Sequence, residues 1–532
     1  MKNTDNKSFK LTIYLLKESV VNFKDAISAN ATYEVFDLKD EIKTEGQVII
    51  GQMKENEPSW RAFIQDGVKD ILPEIYNTSN RAAIFFVIDK RHFVIPFGYG
   101  KHLIKDECID REFGLKTALN IINADKLLSV DKANIGDLSV LTKTQASKKG
   151  SPDYFNIDII KDLIRSITGE PNLTLSHEFG KVITGNEGVY ISPKTNFEKI
   201  PGILKRLNAE YQKTTYKERF DWIDNIKIER DPAIIDKLKS LLIKELLNKN
   251  SESIHLAPPF IVNWENFVGI SFTPQGDCFN EFDIQNFYSL KDTTYTDLDW
   301  DKLTRQKLYF KENNNEDSIH FPLWRFLNYE TEYEGKNYVF TLSNWYRINT
   351  DYYMSIYDYC SKFEESSLNY LTCRVDENEG DYNIRMSNSD SDFICLDKKL
   401  IKSDISRSQI EACDIFTKSK ELIHIKFRES SSTLSHLFAQ GRISCNSLKR
   451  DKNFRKNFRL KLKTLGFDKD LIPLENRDLK SEEYTITYAI IEKKDRHFVD
   501  ALPFFSLINF RLTAEELSVM GFNVKVKKII IR

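Results

Sequence analysis

Residues 411–427 read EACDIFTKSKELIHIKF, and this stretch decides how the chain is interpreted. The stretch has the pattern of two short strands joined by the polar turn TKSK. A turn centred on Ser419 would set Asp414 directly across from His424 and diagonal to Lys426. Because side chains alternate faces along a strand, the pattern predicts a hairpin with one apolar face and one wet face that gathers these three groups.

An Asp, a His and a Lys on one face suit the hydrolysis of a phosphodiester bond. A carboxylate binds a divalent cation, which acidifies a water and offsets charge on the phosphate. A lysine beside it stabilises the transition state as a point charge, and a histidine serves as a metal ligand or a general base. The alternative is a structural or interaction protein in which the polar face of the hairpin only contacts water.

Charge is distributed unevenly along the chain. The net charge is −2, yet residues 402–463 hold fifteen Lys and Arg against six Asp and Glu. Residues 449–463 alone carry eight basic side chains, and the aromatic and leucine spacing around them predicts an amphipathic helix. Such a helix binds phosphates without reading sequence. The basic residues predicted to bind nucleic acid are Arg428, Arg442, Lys449, Arg450, Arg455, Lys456, Arg459 and Lys463.

Length and composition indicate a globular protein of several domains. The chain has 532 residues, of which 41% are hydrophobic and 29% charged. We expect a multidomain α/β (α+β) fold with an N-terminal α/β domain over 1–150, a mixed α/β domain over 151–310 and a C-terminal domain over 311–532. The C-terminal domain is expected to hold a mixed β-sheet flanked by helices.

Local patterns predict individual elements. Apolar periodicity and turn residues mark a pair of strands, three helices and a C-terminal run of strand, helix and strand. In order, these are strands at 82–89 and 91–100, helices at 114–122, 155–168 and 231–249, and the strand, helix and strand within 483–532.

Cysteine usage and hydropathy point to the cytoplasm. The seven cysteines are scattered and never form a C-x-x-C pair, which argues against a disulfide framework or a zinc ribbon. No apolar run approaches the ~18 residues of a membrane span. The N-terminal residues lack the apolar segment of a secretory signal. We therefore expect a cytoplasmic protein that does not bind a membrane.

The hairpin resembles the PD-(D/E)XK nuclease superfamily, in which a strand with Asp is followed by a strand with (Asp/Glu)-x-Lys and then by a helix. The resemblance implies a restriction-endonuclease-like C-terminal domain. In it Asp414 matches the metal-binding Asp and Lys426 the Lys, whereas His424 stands where the superfamily has Glu or Asp. The implied cofactor is a divalent metal, Mg²⁺ or Mn²⁺, and imidazole tolerates Mn²⁺ better.

The same resemblance implies an acidic residue on a helix before the first strand. Of the acids in DENEGDYNIRM (376–386), Glu379 is chosen as a metal ligand with Asp414 and His424. Glu411 lies on the opposite side of the strand by parity and is not expected to share the cation.

A further helix follows the hairpin. SSSTLSHLFAQGRIS (430–444) reads as a capped helix that ends at Gly441. Related nucleases place a Gln on this helix, which implies a catalytic role for Gln440. The alternative is a helix that packs its apolar side and leaves its polar side in water.

More broadly, the chain resembles a sporadically distributed bacterial family associated with mobile elements and phage defence. The segments that carry this resemblance are FGYGKHLI, YKERFDWIDNI, CDIFTKSKELIHIKF, SHLFAQG and LPFFSLINFR. The expected function is a metal-dependent endonuclease acting on DNA, with RNA left open, in restriction or antiviral defence. The alternative is a nuclease-like protein that binds nucleic acid but cleaves it poorly or not at all. A homo-oligomer is left open.

Overall fold

The computed structural model divides into two compact units, residues 8–134 with 140–224, and residues 225–532. Gaps remain within these spans. The described residues are 8–28, 31–52, 55, 57–58, 60–134, 140–251, 253–260, 262, 264, 267–289, 298–312, 319–404, 409–428 and 431–532.

The first unit is built on one large antiparallel sheet. Its strands are β1 (Leu11–Leu15), β2 (Glu34–Asp37), β3 (Gly46–Gln52), β4 (Asn80–Ile88), β5 (Arg91–Gly98), β6 (Ile122–Asn134), β7 (Leu141–Gly150), β8 (Asp162–Pro171), β9 (Ile183–Gly185) and β10 (Val189–Ile191). Its helices are α1 (Trp60–Gln65), α2 (Phe113–Ile121), α3 (Ser176–Phe179), α4 (Ile200–Tyr211) and α5 (Lys217–Phe220). The strand order is β2-β3-β4-β5-β1-β10-β9-β8-β6-β7.

Two predicted strands and one predicted helix of this unit are confirmed. Strands β4 and β5 form a hairpin whose two turn residues, Asp89 and Lys90, have φ of 50° and 64°. Helix α2 covers the predicted segment 114–122 within one residue at each end. The hairpin exposes little of itself because apolar clusters cover both faces of the sheet.

The helix predicted over 155–168 is wrong. The chain forms strand β8 from Asp162, between β6 and β9. Ile164 and Ile167 are buried in the sheet core. A short apolar run fits either periodicity, and β-branched side chains favour the strand once neighbouring strands supply hydrogen bonds.

The second unit contains several smaller sheets. Its strands are β11 (Ile226–Ile228), β12 (Ile254–Leu256), β13 (Phe267–Ser271), β14 (Lys307–Glu312), β15 (Ile319–Pro322), β16 (Leu327–Tyr333), β17 (Lys336–Thr341), β18 (Asn344–Ile348), β19 (Phe393–Cys395), β20 (Ile401–Lys402), β21 (Gln409–Ile410), β22 (Ile415–Thr417), β23 (Glu421–Phe427), β24 (Thr485–Glu492) and β25 (Asn523–Ile530). Its helices are α6 (Pro232–Leu247), α7 (Ile284–Tyr288), α8 (Trp300–Arg305), α9 (Thr350–Cys360), α10 (Glu379–Ser387), α11 (Ser431–Arg450), α12 (Lys452–Thr464) and α13 (Phe504–Val519).

Two of these sheets hold most of the second unit's strands. The antiparallel sheet β11-β18-β17-β16-β12 packs its aromatic side chains in a core with α6, which confirms the helix predicted at 231–249. The mixed sheet β19-β22-β23-β24-β25 follows it in sequence. The predicted C-terminal strand, helix and strand are β24, α13 and β25, and they are confirmed as part of this sheet.

The register predicted for the hairpin is confirmed. Ile415 pairs with Ile423 and Phe416 with Leu422, which centres the turn on Ser419. Strand β23 then pairs in parallel with β24, and β24 in parallel with β25. Parallel neighbours need crossover connections, and helices α11, α12 and α13 supply them.

Helix α11 does not end at Gly441 as predicted, but continues to Arg450. Residue 430, where the predicted capped helix begins, lies outside the described residues. A Cβ at position 441 would lie 2.3 Å from the Oη of Tyr488 on β24. The glycine therefore allows helix and sheet to approach closely, which is a packing role within the helix and not a stop.

The predicted domain boundaries differ from the two compact units. Residue 150 ends β7, which shares a sheet with β8, and residue 310 lies inside β14. Throughout the described ranges, no helix is both long and apolar enough to span a membrane. All seven cysteines lie in the described part of the chain and all are thiols.

The close contact at Gly441 gives a stability prediction. We expect Gly441→Ala to lower the free energy of unfolding by about 1–3 kcal/mol, because the added methyl group overpacks Tyr488. Gly202→Ala in α4 is the matched control, since a Cβ there meets no atom within 4 Å. That control should keep or raise stability, because alanine favours a helix over glycine. Denaturant unfolding of both variants measures the difference, and equal stabilities would contradict the packing role.

Candidate metal-binding and catalytic site

The hairpin has no wet face over most of its length, so that prediction is wrong. On one face of β23, Ile423 and Ile425 pack against Tyr382 and Met386 of α10. On the other face, His424 lies beside Tyr488 of β24. Because β24 runs parallel to β23, its crossover helices cover the face that a free hairpin would leave to solvent.

Asp414 is buried and bonded to the main chain of the opposite strand. Its side chain is 6% exposed, and its Oδ2 accepts a 2.7 Å hydrogen bond from the Ile425 amide. Its own carbonyl accepts from the amides of Leu396 and Asp397 at 2.7 and 3.1 Å. These bonds fix Asp414 where the segment that follows β19 contacts the segment that precedes β22.

Three carboxylates converge at that point. One oxygen each from Asp397, Glu411 and Asp414 lie within 4.8 Å of one another. The expectation that Glu411 faces away is wrong, because residues 411–414 precede β22 and do not follow strand alternation. The Lys398 amide fixes Glu411 by donating a 2.5 Å hydrogen bond to its Oε1.

Lys426 and Glu379 lie beside this acidic cluster, which we define as Asp397, Glu411 and Asp414. The Lys426 Nζ lies 2.8 Å from the Glu379 Oε1, at the first residue of α10. A Cβ on the next residue, Gly380, would lie 3.3 Å from the Asp397 Oδ2, so the first turn of α10 passes directly against the cluster.

The other acids near α10 are engaged elsewhere. Glu377 forms a 2.6 Å ion pair with Arg385. Asp381 binds the N-cap residue Asn378 through a 2.6 Å hydrogen bond. Of Glu377, Glu379 and Asp381, Glu379 is therefore the acid that pairs with Lys426.

Sequence reasoning missed Asn383 and Asp397. Asn383 is fully buried on α10, and its Nδ2 approaches the Asp414 Oδ1 at 3.5 Å. Its Oδ1 has no hydrogen-bond partner among the described residues. The signal for Asn383 is its i, i+4 spacing from Glu379, which sets both on one face of the helix. Asp397 follows a short apolar run and has no comparable signal.

Burial and like charge shape the electrostatics of the cluster. Burial, with further contributions from Glu411, Glu379 and Asp397, raises the pKa of Asp414 well above its ordinary value, although the Ile425 amide opposes this. Burial also raises the pKa of Glu411, with the Lys398 amide and Lys426 acting in the other direction. The cluster is therefore short of positive charge at neutral pH, and a cation would relieve it.

His424 does not join the carboxylates, contrary to its predicted role as a ligand and catalytic base. It is 2% exposed, and burial alone lowers its pKa to about 3. Its Nε2 has no hydrogen-bond partner in the described part of the chain. The imidazole is a neutral core group next to Tyr488, with ring centroids 5.9 Å apart.

Gln440 is half-buried on α11, the helix that packs on β23 and β24. Within the described part of the chain, its amide forms no hydrogen bond with the acidic cluster. Its catalytic role stays a prediction that these contacts do not support.

Several basic residues predicted to bind nucleic acid serve the fold. Arg455 is 1% exposed and donates to the Leu448 and Leu474 carbonyl groups, so its predicted role is wrong. The loop after α12 wraps back over the helix and takes up this guanidinium.

Four more of the basic residues predicted to bind nucleic acid also contact carbonyl or carboxylate oxygens of the protein. They are Arg459 to Asp470 at 2.6 Å, Lys449 to the Met520 carbonyl, Arg428 to the Ala501 carbonyl at 2.6 Å and Arg442 to Glu516 at 3.3 Å. Three other basic side chains, Arg450, Lys456 and Lys463, are exposed and have no ion pair with any described residue. The basic surface is therefore smaller than the sequence suggests.

Burial of His424 predicts acid sensitivity. Its pKa is about 3 in the folded protein and 6.5 ordinarily, so the unfolded chain binds the extra proton between these values. Stability is then lost as pH falls from 6.5 toward 3. We expect His424→Leu to reduce the loss of unfolding free energy between pH 6.5 and 4.5, as measured by urea unfolding at each pH. An unchanged pH dependence would contradict the buried neutral imidazole.

The buried carboxyl group of Asp414 predicts the opposite pH dependence of stability. Its pKa is raised in the folded protein, so the unfolded chain releases the proton first and stability falls as pH rises above 3.8. We expect Asp414→Asn to raise the free energy of unfolding at pH 8, by about 1 kcal/mol, and by less at pH 5. A carboxylate that serves only the fold would give a destabilised variant at both pH values in the same unfolding assay.

Comparison with known proteins yields one match. No curated protein and no solved structure matches the chain. The model of a family of unknown function, DUF6119, matches residues 11–530, which covers both compact units. The chain therefore belongs to the DUF6119 family.

Proposed function

We propose that the second unit is a divalent-cation-dependent nuclease that hydrolyses phosphodiester bonds in DNA, with RNA as the other substrate to be tested. The observation that carries the proposal is the convergence of Asp397, Glu411 and Asp414 within 4.8 Å, beside a lysine held 2.8 Å from Glu379. Buried carboxylates are unfavourable for stability unless they are paired or bind a cation. Asp414 is buried and Asp397 and Glu411 are half-buried, so binding a cation is the most direct reason to keep the three together.

The donor set suits a hard divalent cation. Its three carboxylates supply only oxygen, which Mg²⁺ and Mn²⁺ both accept. Asn383 contacts Asp414 through its Nδ2, and its Oδ1, buried without a partner among the described residues, would supply a fourth oxygen if the amide turned. A bound cation would supply a Lewis acid that acidifies water and offsets phosphate charge. Without His424 in the donor set, the reason to favour Mn²⁺ is removed.

The other side chains of the site would bind the phosphate or position the groups that do. Lys426 offers an ammonium group that can bind a phosphate oxygen and stabilise negative charge developing there. Glu379 positions that ammonium through the 2.8 Å contact. The Ile425 amide and Asn383 position Asp414, so both act through the carboxylate.

The order of elements supports the resemblance to PD-(D/E)XK nucleases. A helix with an acidic residue, α10, precedes the hairpin that carries Asp414 and Lys426, and α11 follows it. The exposed groups of Arg450, Lys456 and Lys463 supply positive charge for a phosphate backbone. A role in restriction or antiviral defence is part of the proposal and rests on the resemblance.

The second candidate is a nucleic-acid-binding protein with little or no cleavage. One observation favours it. His424, at the position where the superfamily has an acid, is buried on the other face of the sheet from the acidic cluster. Binding that weakens with salt but needs no metal would support this candidate over the nuclease.

The test uses the full chain with single- and double-stranded DNA and with RNA, in Mg²⁺, in Mn²⁺ and with chelator. We expect cleavage that chelation abolishes. Lys426→Ala and Asp397→Asn should each lower the cleavage rate about a hundredfold or more, because each removes charge from the reacting centre.

Lys418→Ala is the matched control, because Lys418 forms a similar 2.7 Å ion pair with Asp392 at the exposed hairpin turn. It should cleave like the unmodified protein. Equal rates for Lys426→Ala and the control, or no metal-dependent cleavage of any substrate, would refute the nuclease.

A further inference from the structure

The first unit contains a cleft that the proposed nuclease site does not use. It has a volume of about 550 Å³, within the range of small-molecule sites. Its walls are the turn around residues 22–24 and the connection between β2 and β3, and its floor is the sheet.

The floor follows from the strand register. Asp37 on β2 pairs with Gln47 on β3, and Gln47 pairs with Phe85 on β4. Val87, two residues after Phe85, pairs with His92 on β5. Paired residues share a face of a sheet, so these five side chains lie side by side across four strands.

An aromatic pair forms the apolar part of the cleft. The Phe23 ring lies 4.9 Å from the Phe85 ring, centroid to centroid, with the planes tilted by 35°. Both residues line the cleft, and because Phe85 is 1% exposed, the half-buried Phe23 ring is the accessible one. A flat apolar surface of this kind suits the face of an aromatic ring.

The floor also holds two buried hydrogen-bond acceptors that lack donors. The His92 Nε2 donates to the Val21 carbonyl at 3.0 Å, which leaves the Nδ1 of a neutral ring as an acceptor. The Gln47 Nε2 donates to Asp37 at 2.7 Å, which leaves its Oε1. Neither the Nδ1 nor the Oε1 has a partner among the described residues. A seated ligand with N–H or O–H groups would satisfy both once these side chains turn toward it.

Three lysines line the rim. Lys24 lies on the wall formed by residues 22–24, and Lys39 and Lys43 flank the short turn after β2. All three are exposed, and none has an ion pair with a described residue. Three carboxylates, those of Asp37, Asp40 and Glu45, line the same cleft. The rim therefore offers separate cations and hydrogen-bond acceptors.

We propose that this cleft binds a nucleoside phosphate. The base would lie on the Phe23 ring, which Phe85 supports from below. The base and ribose donors would face Gln47 and the carboxylates, and the phosphates would bind the lysines. A simple anion would leave the acceptors and the aromatic floor unused, and the acids would repel it. A simple cation would leave the three lysines unused. Only a ligand with an anionic end and a donor-rich ring uses every part of the cleft.

The test is calorimetric titration of the full chain with ADP, GDP, CDP and UDP, and with adenosine and pyrophosphate as fragments. We expect at least one nucleoside diphosphate to bind with a Kd of about 100 μM or tighter. Each fragment should bind more weakly than ADP if ADP is that ligand. Lys39→Ala/Lys43→Ala should weaken binding about tenfold or more, because it removes two charges that contact phosphate.

The matched control is Lys181→Ala/Lys194→Ala, two exposed lysines of the same unit outside the cleft. It should bind like the unmodified protein. The proposal is overturned if none of the four diphosphates binds tighter than about 1 mM, if pyrophosphate alone binds as tightly as the best diphosphate, or if the two double variants bind alike. Because the readout is binding to the first unit, failure here leaves the nuclease assay unaffected.

Discussion

The parallel pairing of β23 with β24 is the constraint on which the mixed sheet of the second unit depends. An isolated hairpin could leave one side in water, but a parallel partner requires crossover helices, and these cover the sheet. Because both faces of the sheet are buried, His424 is a core residue. Polar groups can collect only at the end of the strand. The acidic cluster lies there, where the chain enters β22 and the first turn of α10 arrives.

Burial also determines the electrostatics of the acidic cluster. Burial of Asp414, with smaller contributions from the nearby Glu411, Glu379 and Asp397, raises the pKa of its carboxyl group. The fold tolerates it because main-chain amides of Ile425 and Lys398 hold two of the three carboxylates in place. A site built for stability alone would satisfy its acids with arginine, as Glu377 is satisfied by Arg385.

The basic side chains also fall into two groups, those that bind oxygens within the fold and those that remain exposed to solvent. Arginine donates several hydrogen bonds in fixed directions, which suits it to bind carbonyl groups at the end of a helix. Arg455 and Arg459 are used in this way, whereas the lysines nearby at 456 and 463 stay in solvent. Counting basic residues in the sequence therefore overestimates the surface that can contact a phosphate backbone. Each compact unit has its own candidate for binding anions, the basic helix α12 in the second unit and the lysine-rimmed cleft in the first.

The sequence by itself determined the local elements with strong periodicity or turn residues. These include the hairpin centred on Ser419 and the β4–β5 turn, because each depends on contacts close in the chain. The amphipathic helix predicted over 449–463 is confirmed only from Lys452, because Asp451 caps α12 and separates it from α11. The sequence also pointed to Asp414, Glu379 and Lys426. Only the tertiary structure decided that Glu411, Asp397 and Asn383 join them and that His424 does not. Those placements arise from parallel strand pairing and from irregular backbone before β22, where residues far apart in sequence meet and alternation no longer predicts direction.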